Sequence, residues 1–170
     1  MSRVLLFGKL PAHGDFVSRG LAPADRDALD NWLSSSLADA RNAVGGAFEP
    51  QYDSAPPWRC MITVGGAPVA GALAASQDAA GRRYPLLLAV RDGGEAAAEA
   101  CEALLYDAIA GGWDADTLVE HAETVTDDAA QPPSPRFWTL GGESFDPAMI
   151  VEDRPPTLIA TMLRQAETVS

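Results

Sequence analysis

Lys9, His13, Asp15 and Arg19 crowd into the stretch between Gly8 and Gly20, and these are side chains that bind anions, move protons or form ion pairs. Gly8, Pro11 and Gly14 punctuate the same stretch, so the backbone turns there instead of prolonging the apolar run Val4-Leu5-Leu6-Phe7 that enters it. Polar loops held between apolar elements are common places for recognition or chemistry. A phosphate cradle of the G-x-x-x-x-G-K-[ST] type needs its lysine after the second glycine. Here Lys9 follows the first, and Gly14 is followed by Asp15, whose carboxylate repels phosphate. No G-x-G-x-x-G dinucleotide pattern replaces it. Catalysis by His13 with Asp15, with Ser18 as nucleophile, is the second chemistry. Residues two apart on an extended chain point to opposite faces, so the pair forms only if the turn curls it together. The chain also lacks G-x-S-x-G, a metal-ligand set, and a second histidine near a nucleophile. The favoured reading is a structural turn in which Asp15 caps backbone N–H groups and pairs with Arg19 or Lys9.

Two more loops carry charge beside aromatic residues. Pro56-Pro57 fixes an extended entry to Trp58 and Arg59. Arg59 there can recognise a carboxylate or phosphate on a partner, or pair internally with Asp15 or Asp53. In the polar segment from Ser76 to Arg83, Asp78 and Arg82 are spaced to close a tight loop, a role that needs no ligand.

The elements that must position these loops follow from the apolar pattern. Val4–Phe7 reads as a strand apolar on both faces. Pro23 starts a long helix with Asp25 and Asp27 at its positive end; Leu29, Trp32, Leu33, Leu37, Ala40 and Val44 form its stripe, and Gly45-Gly46 stops it. Trp32 reads as core, since burying its ~200 Å² contributes on the order of 5 kcal/mol. The segment from Phe48 to Tyr52 fits no single conformation. Trp58–Val64, Val69–Ala75 and Tyr84–Val90 read as strands, with Pro85 allowed near a strand start or at an edge. An alanine-rich helix from Glu95 ends at Gly111-Gly112, and Trp113-Asp114 opens another, on which His121 is an exposed residue. The aperiodic segment Asp127–Pro135 is expected to be a mobile loop. Arg136–Leu140 and Ala148–Val151 read as strands around a Gly141-Gly142 turn, and Pro155-Pro156 starts a closing helix. The fold class is α/β (α+β): a mixed, largely antiparallel sheet flanked by helices, in the order βαβββααββα, within one domain spanning 1–170.

With 170 residues, 47% of them hydrophobic, the chain has material for a proper core. Its 12 Lys+Arg against 24 Asp+Glu give a formal net charge of -12, which repels nucleic acid and anionic membranes. Cys60 and Cys101 sit on apolar positions and read as buried free thiols. The short N-terminal apolar run is neither a signal peptide nor a membrane span, so a cytoplasmic location is expected. No cofactor is expected.

Four segments carry a family resemblance. Gly8-Lys9-Leu10-Pro11-Ala12-His13-Gly14-Asp15-Phe16 is similar to the opening signature of the TagF (ImpM) family of type VI secretion-associated proteins, G-K-[LIV]-P-x-x-G-D-F. The S-x-D-x-x-G-R-x-[FY]-P-L pattern from Ser76 to Leu86 and the Phe137-Trp138-Thr139-Leu140-Gly141-Gly142 element resemble the same family in the same order, as does the segment from Ala55 to Arg59. The resemblance implies a cytoplasmic accessory protein that represses type VI secretion after translation, through the forkhead-associated (Fha) scaffold protein of that system; the competing readings are a small hydrolase using His13 and Asp15 and a structural subunit of the secretion apparatus. It implies no enzymatic activity. The loops bearing Lys9, Asp15, Phe16, Arg19, Trp58, Arg59, Asp78 and Arg82 are expected to converge into one polar patch, either structural or partner-binding.

Overall fold

The computed structural model of the chain describes residues 3–125, 135–140 and 146–167. The apolar opening run becomes strand β1 (Val4–Gly8), buried at all positions because both faces of the sheet are covered. The chain turns back to add β2 (Val17–Arg19), with Leu6 opposite Arg19 and Gly8 opposite Val17. Helix α1 (Pro23–Val44) follows, with proline in its first turn and Gly45 at its C-cap in a positive-φ conformation. A single 3-10 turn, Gly45–Ala47, leads into α2 (Phe48–Ser54). Then come β3 (Trp58–Val64), β4 (Ala67–Ala74), β5 (Leu86–Arg91), α3 (Glu95–Gly111), α4 (Ala115–Ala122), β6 (Arg136–Thr139), β7 (Ala148–Ile150) and α5 (Leu158–Glu167). Strand β2 and helix α2 are additions to the expected order. The loop expected over 127–135, Pro135 apart, and the turn at Gly141-Gly142 lie outside the described residues.

The seven strands form one sheet in the order β2-β1-β5-β4-β3-β6-β7, and each of its pairings is antiparallel. Alternation along the strands divides the core into two faces. Leu5, Phe7, Trp58, Ile62, Leu73, Leu87 and Phe137 face α1, α2 and α5. Leu6, Met61, Ala72, Leu88, Val90 and Trp138 face α3 and α4. Alanine explains the close seating of α3: Ala97, Ala98, Cys101 and Ala108 are fully buried against a row of alanines on β4. Trp32 packs on the first face only in part, tilted against Phe137, with its indole N–H donating to the Pro155 carbonyl at 2.9 Å. Cys60 and Cys101 are buried free thiols, and burial pushes both well above the ordinary thiol range.

The register fixes what meets at one end of the sheet. Gly8 pairs with Leu86, and Leu86 pairs with Ala74. The loop that leaves β1 therefore emerges beside the loop that joins β4 to β5. Gly8 makes this possible: its φ is +135°, and a Cβ there would collide with the Pro85 carbonyl oxygen. The Lys9 N–H instead donates to that oxygen at 3.4 Å.

Candidate functional site

Asp78 joins the two loops. Its side chain is almost fully enclosed at 1% exposure, and all its hydrogen-bond partners are donors. Oδ1 accepts from the backbone N–H groups of Ala80 at 2.9 Å and Arg82 at 3.0 Å. Oδ2 accepts from Arg82 Nε at 2.8 Å and lies 3.2 Å from Lys9 Nζ. A turn built this way needs an acceptor-only side chain at its first position and a positive φ at Gly81, both of which the sequence supplies. Burial alone would raise the Asp78 carboxyl, but the Arg82 N–H, Lys9 and the Ala80 N–H outweigh it and hold it at about 2.

Further contacts clamp the loop after β1 against this turn. The other end of the Arg82 guanidinium donates to the Gly14 carbonyl at 2.7 Å, and the Ala79 N–H donates to the His13 carbonyl at 2.7 Å. His13 then reaches the opposite way, its Nε2 accepting the Ala115 N–H at 2.9 Å. Helix α4 thus receives two caps, His13 on Ala115 and the Asp114 carboxylate on the Thr117 N–H at 2.8 Å. Accepting the Thr117 N–H also lowers the Asp114 carboxyl. With Nε2 committed as an acceptor, His13 serves as a structural bond between the loop and α4.

Several expected pairings resolve differently. Asp15 pairs with neither Lys9 nor Arg19; its Oδ1 accepts the Phe16 N–H at 2.7 Å. The charge of Lys9 is taken by Asp78, and Arg19 Nε donates to Asp116 on α4 at 3.0 Å. Arg59 pairs with neither Asp15 nor Asp53; its side chain faces α3 and donates to Glu102 at 2.9 Å. Asp53 instead holds Arg83 in a two-point contact at 2.7 and 2.8 Å, which keeps its carboxyl below the usual range. Trp58 is fully buried in the first core face. Thus Lys9, Phe16, Asp78 and Arg82 form one contact cluster, while Arg19 ties β2 to α4. Trp58 and Arg59 lie on β3, separated from β1 by β5 and β4, roughly 14 Å away at sheet spacing. They are not part of the cluster.

Phe16 is the exposed aromatic of the cluster, at 45% exposure. Its ring stacks on Phe7 with 6.1 Å between centroids, meets Tyr84 edge-on at 4.8 Å, and lies 4.9 Å from Lys9 Nζ. Beside it opens a cleft of about 370 Å³ lined by Phe7, Asp15, Phe16, Ser18, Arg26, Asp27 and Asp30. The wall is anchored by Asp30, whose Oδ1 accepts from Tyr84 Oη at 2.8 Å and Ser34 Oγ at 2.9 Å. Burial and then the Asp30 contact push the Tyr84 hydroxyl up. Arg26, Asp27 and Asp30 are the cleft residues of α1 that motif reasoning passed over. Their spacing was the available signal, since Arg26 and Asp27 lie four and three residues before Asp30 and so share a face of α1 with it. Among the described residues no group of three or more His, Cys, Asp or Glu is arranged to hold a metal ion. No helix among them is long and apolar enough to cross a membrane.

Residues 6–131 match the model of the TagF N-terminal domain, described as type VI secretion system-associated. No curated protein matches the chain. The crystal structure of PA0076 from Pseudomonas aeruginosa PAO1 has a similar fold, with a TM-score of 0.78 over 94% of this chain and 93% of that one at 22% identity.

Proposed function

The chain belongs to the TagF N-terminal domain family of type VI secretion-associated proteins, and from that premise we propose that it is a cytoplasmic repressor of type VI secretion acting through the Fha scaffold protein. The single observation that carries the reading is the family match over most of the chain. The polar cluster supports binding over catalysis. Asp78 is saturated by four donor contacts, and the His13 Nε2 that a general base would use is spent on the Ala115 N–H. These groups hold two loops in register and leave Phe16 displayed at the surface. A rigidly held aromatic beside a cleft is the kind of feature that anchors a protein contact.

The test is isothermal titration of the purified chain into the purified Fha scaffold of the same secretion system. Saturable binding is expected. A flat titration, with the chain shown folded by its melting curve, would overturn the Fha assignment.

A further inference from the structure

We propose that the cleft between Phe16 and α1 docks a basic segment of the partner protein, with the stem of an arginine or lysine lying along the Phe16 ring and its charged head among Asp15, Asp27 and Asp30. The inference rests on the reading of this protein as one that acts by binding a partner.

Phe16 is a large aromatic left 45% exposed, although Phe7, Tyr84 and Lys9 surround it on its inner sides. The loop carrying it is held by Arg82 to Gly14, Ala79 to His13 and Ala115 to His13, so the ring is presented in place before any partner arrives. Ordering a contact residue in advance removes part of the entropy cost of association. The cleft next to it is large enough for a long side chain and is lined by three carboxylates against one guanidinium. That guanidinium, Arg26, meets Asp27 only at 3.4 Å, and both are largely exposed, so the pair offers little resistance to a competing cation. Asp15 makes no ion pair among the described residues. Its carboxylate stands beside Phe16, with one oxygen on the Phe16 N–H.

The occupant follows from charge and shape together. A formal net charge of -12 attracts a basic chain at long range and repels an acidic one. The carboxylates do not converge on a point that could hold a metal ion, so an extended cation fits them better than a compact one. The aliphatic stems of arginine and lysine cover apolar surface while the head stays with carboxylates, which matches an aromatic floor with an acidic rim.

The experiment titrates the isotopically labelled protein with deca-arginine, and separately with deca-glutamate, at physiological salt, following backbone amide shifts. The same variants are then titrated with the Fha scaffold: Phe16→Ala, Asp27→Lys, and Asp39→Lys on an exposed position of α1 outside the cleft. Deca-arginine is expected to shift Phe16, Ser18 and Asp27 saturably, and deca-glutamate to shift none of them. Phe16→Ala and Asp27→Lys are each expected to weaken both ligands about tenfold, with Asp39→Lys within about twofold of the parent and all three melting near it. Deca-arginine shifts spread evenly over other acidic faces, such as the Glu95–Glu99 end of α3, would overturn the site. So would scaffold binding that is unchanged by Phe16→Ala and Asp27→Lys, an outcome that leaves the Fha reading standing. Localised peptide binding with no scaffold binding by the parent protein would leave the basic-segment site standing and remove the Fha reading.

Discussion

A carboxylate as enclosed as Asp78 is tolerated only because two cations and two backbone N–H groups surround it. Its role can be read through acid. A folded-state value near 2, below the ordinary carboxylate value near 4, means that the charged form is favoured by folding. That stabilisation is fully present above about pH 4 and is lost as pH falls through about 2. Asp78→Asn keeps the shape but loses the charge that Lys9 and Arg82 meet. It is expected to lower Tm by on the order of 5–10 °C at pH 7, because Lys9, only 8% exposed, loses its counter-charge. The gap between parent and variant melting curves should stay constant from pH 7 to about 4 and narrow between about 4 and 2. A gap that is the same at pH 7 and pH 2.5 would show that the turn is held by shape and not by the charge. The Asp78–Arg82 pairing was legible because it is local, four residues apart within a polar loop. The partners of Arg59 and Arg19 were not. Glu102 is 43 residues from Arg59 and Asp116 is 97 from Arg19, and nothing within either segment signals the other.

At the scale of elements, the long helices and strands announced themselves, as did the short β6 and β7, whereas β2 and α2 did not. Helix α1 carries a proline in its first turn, an apolar stripe and a glycine stop, so its ends match the spans read from those signals. Strand β2 has three residues, too few to display alternation, and it exists because β1 offers a free edge within reach of the turning loop. Helix α2 is seven residues long and includes Pro50; packing of Phe48 and Tyr52 into the core decides its conformation where propensity does not. Convergence of the β1 loop on the β4–β5 loop is a consequence of register, and Gly8 is the residue on which it turns. Gly8→Ala would place a methyl against the Pro85 carbonyl at a φ of +135°. The expected cost is about 2–4 kcal/mol, read as a Tm drop of roughly 5–15 °C, with the loops prised apart. Gly14→Ala, at a position with nothing within 4 Å of its Cβ, is the control and should melt within a few degrees of the parent. Equal melting of the two variants would mean that the close approach of the loops contributes nothing to the fold.

For the whole molecule, the question is whether it restrains a machine or forms part of one, and mass action separates the two. A repressor that works by occupying its target silences secretion in proportion to the fraction bound, so its effect grows with its concentration until the target is saturated. A building block behaves in the opposite sense: removing it stops assembly, and an excess adds nothing once its places are filled. Deleting the gene is therefore expected to raise type VI secretion, and graded overproduction to lower it progressively. Phe16→Ala provides the link from surface to phenotype. The side chain is half-exposed and its loop is held by bonds that do not involve the ring, so the variant should accumulate normally yet repress only at a level raised by about the loss in affinity, roughly tenfold. Immunoblots of the parent and the variant at matched induction separate this from simple loss of protein, since destabilised chains fall in abundance. A deletion strain that secretes nothing, and recovers when the gene is restored, would make the protein a component of the apparatus and end its reading as a brake.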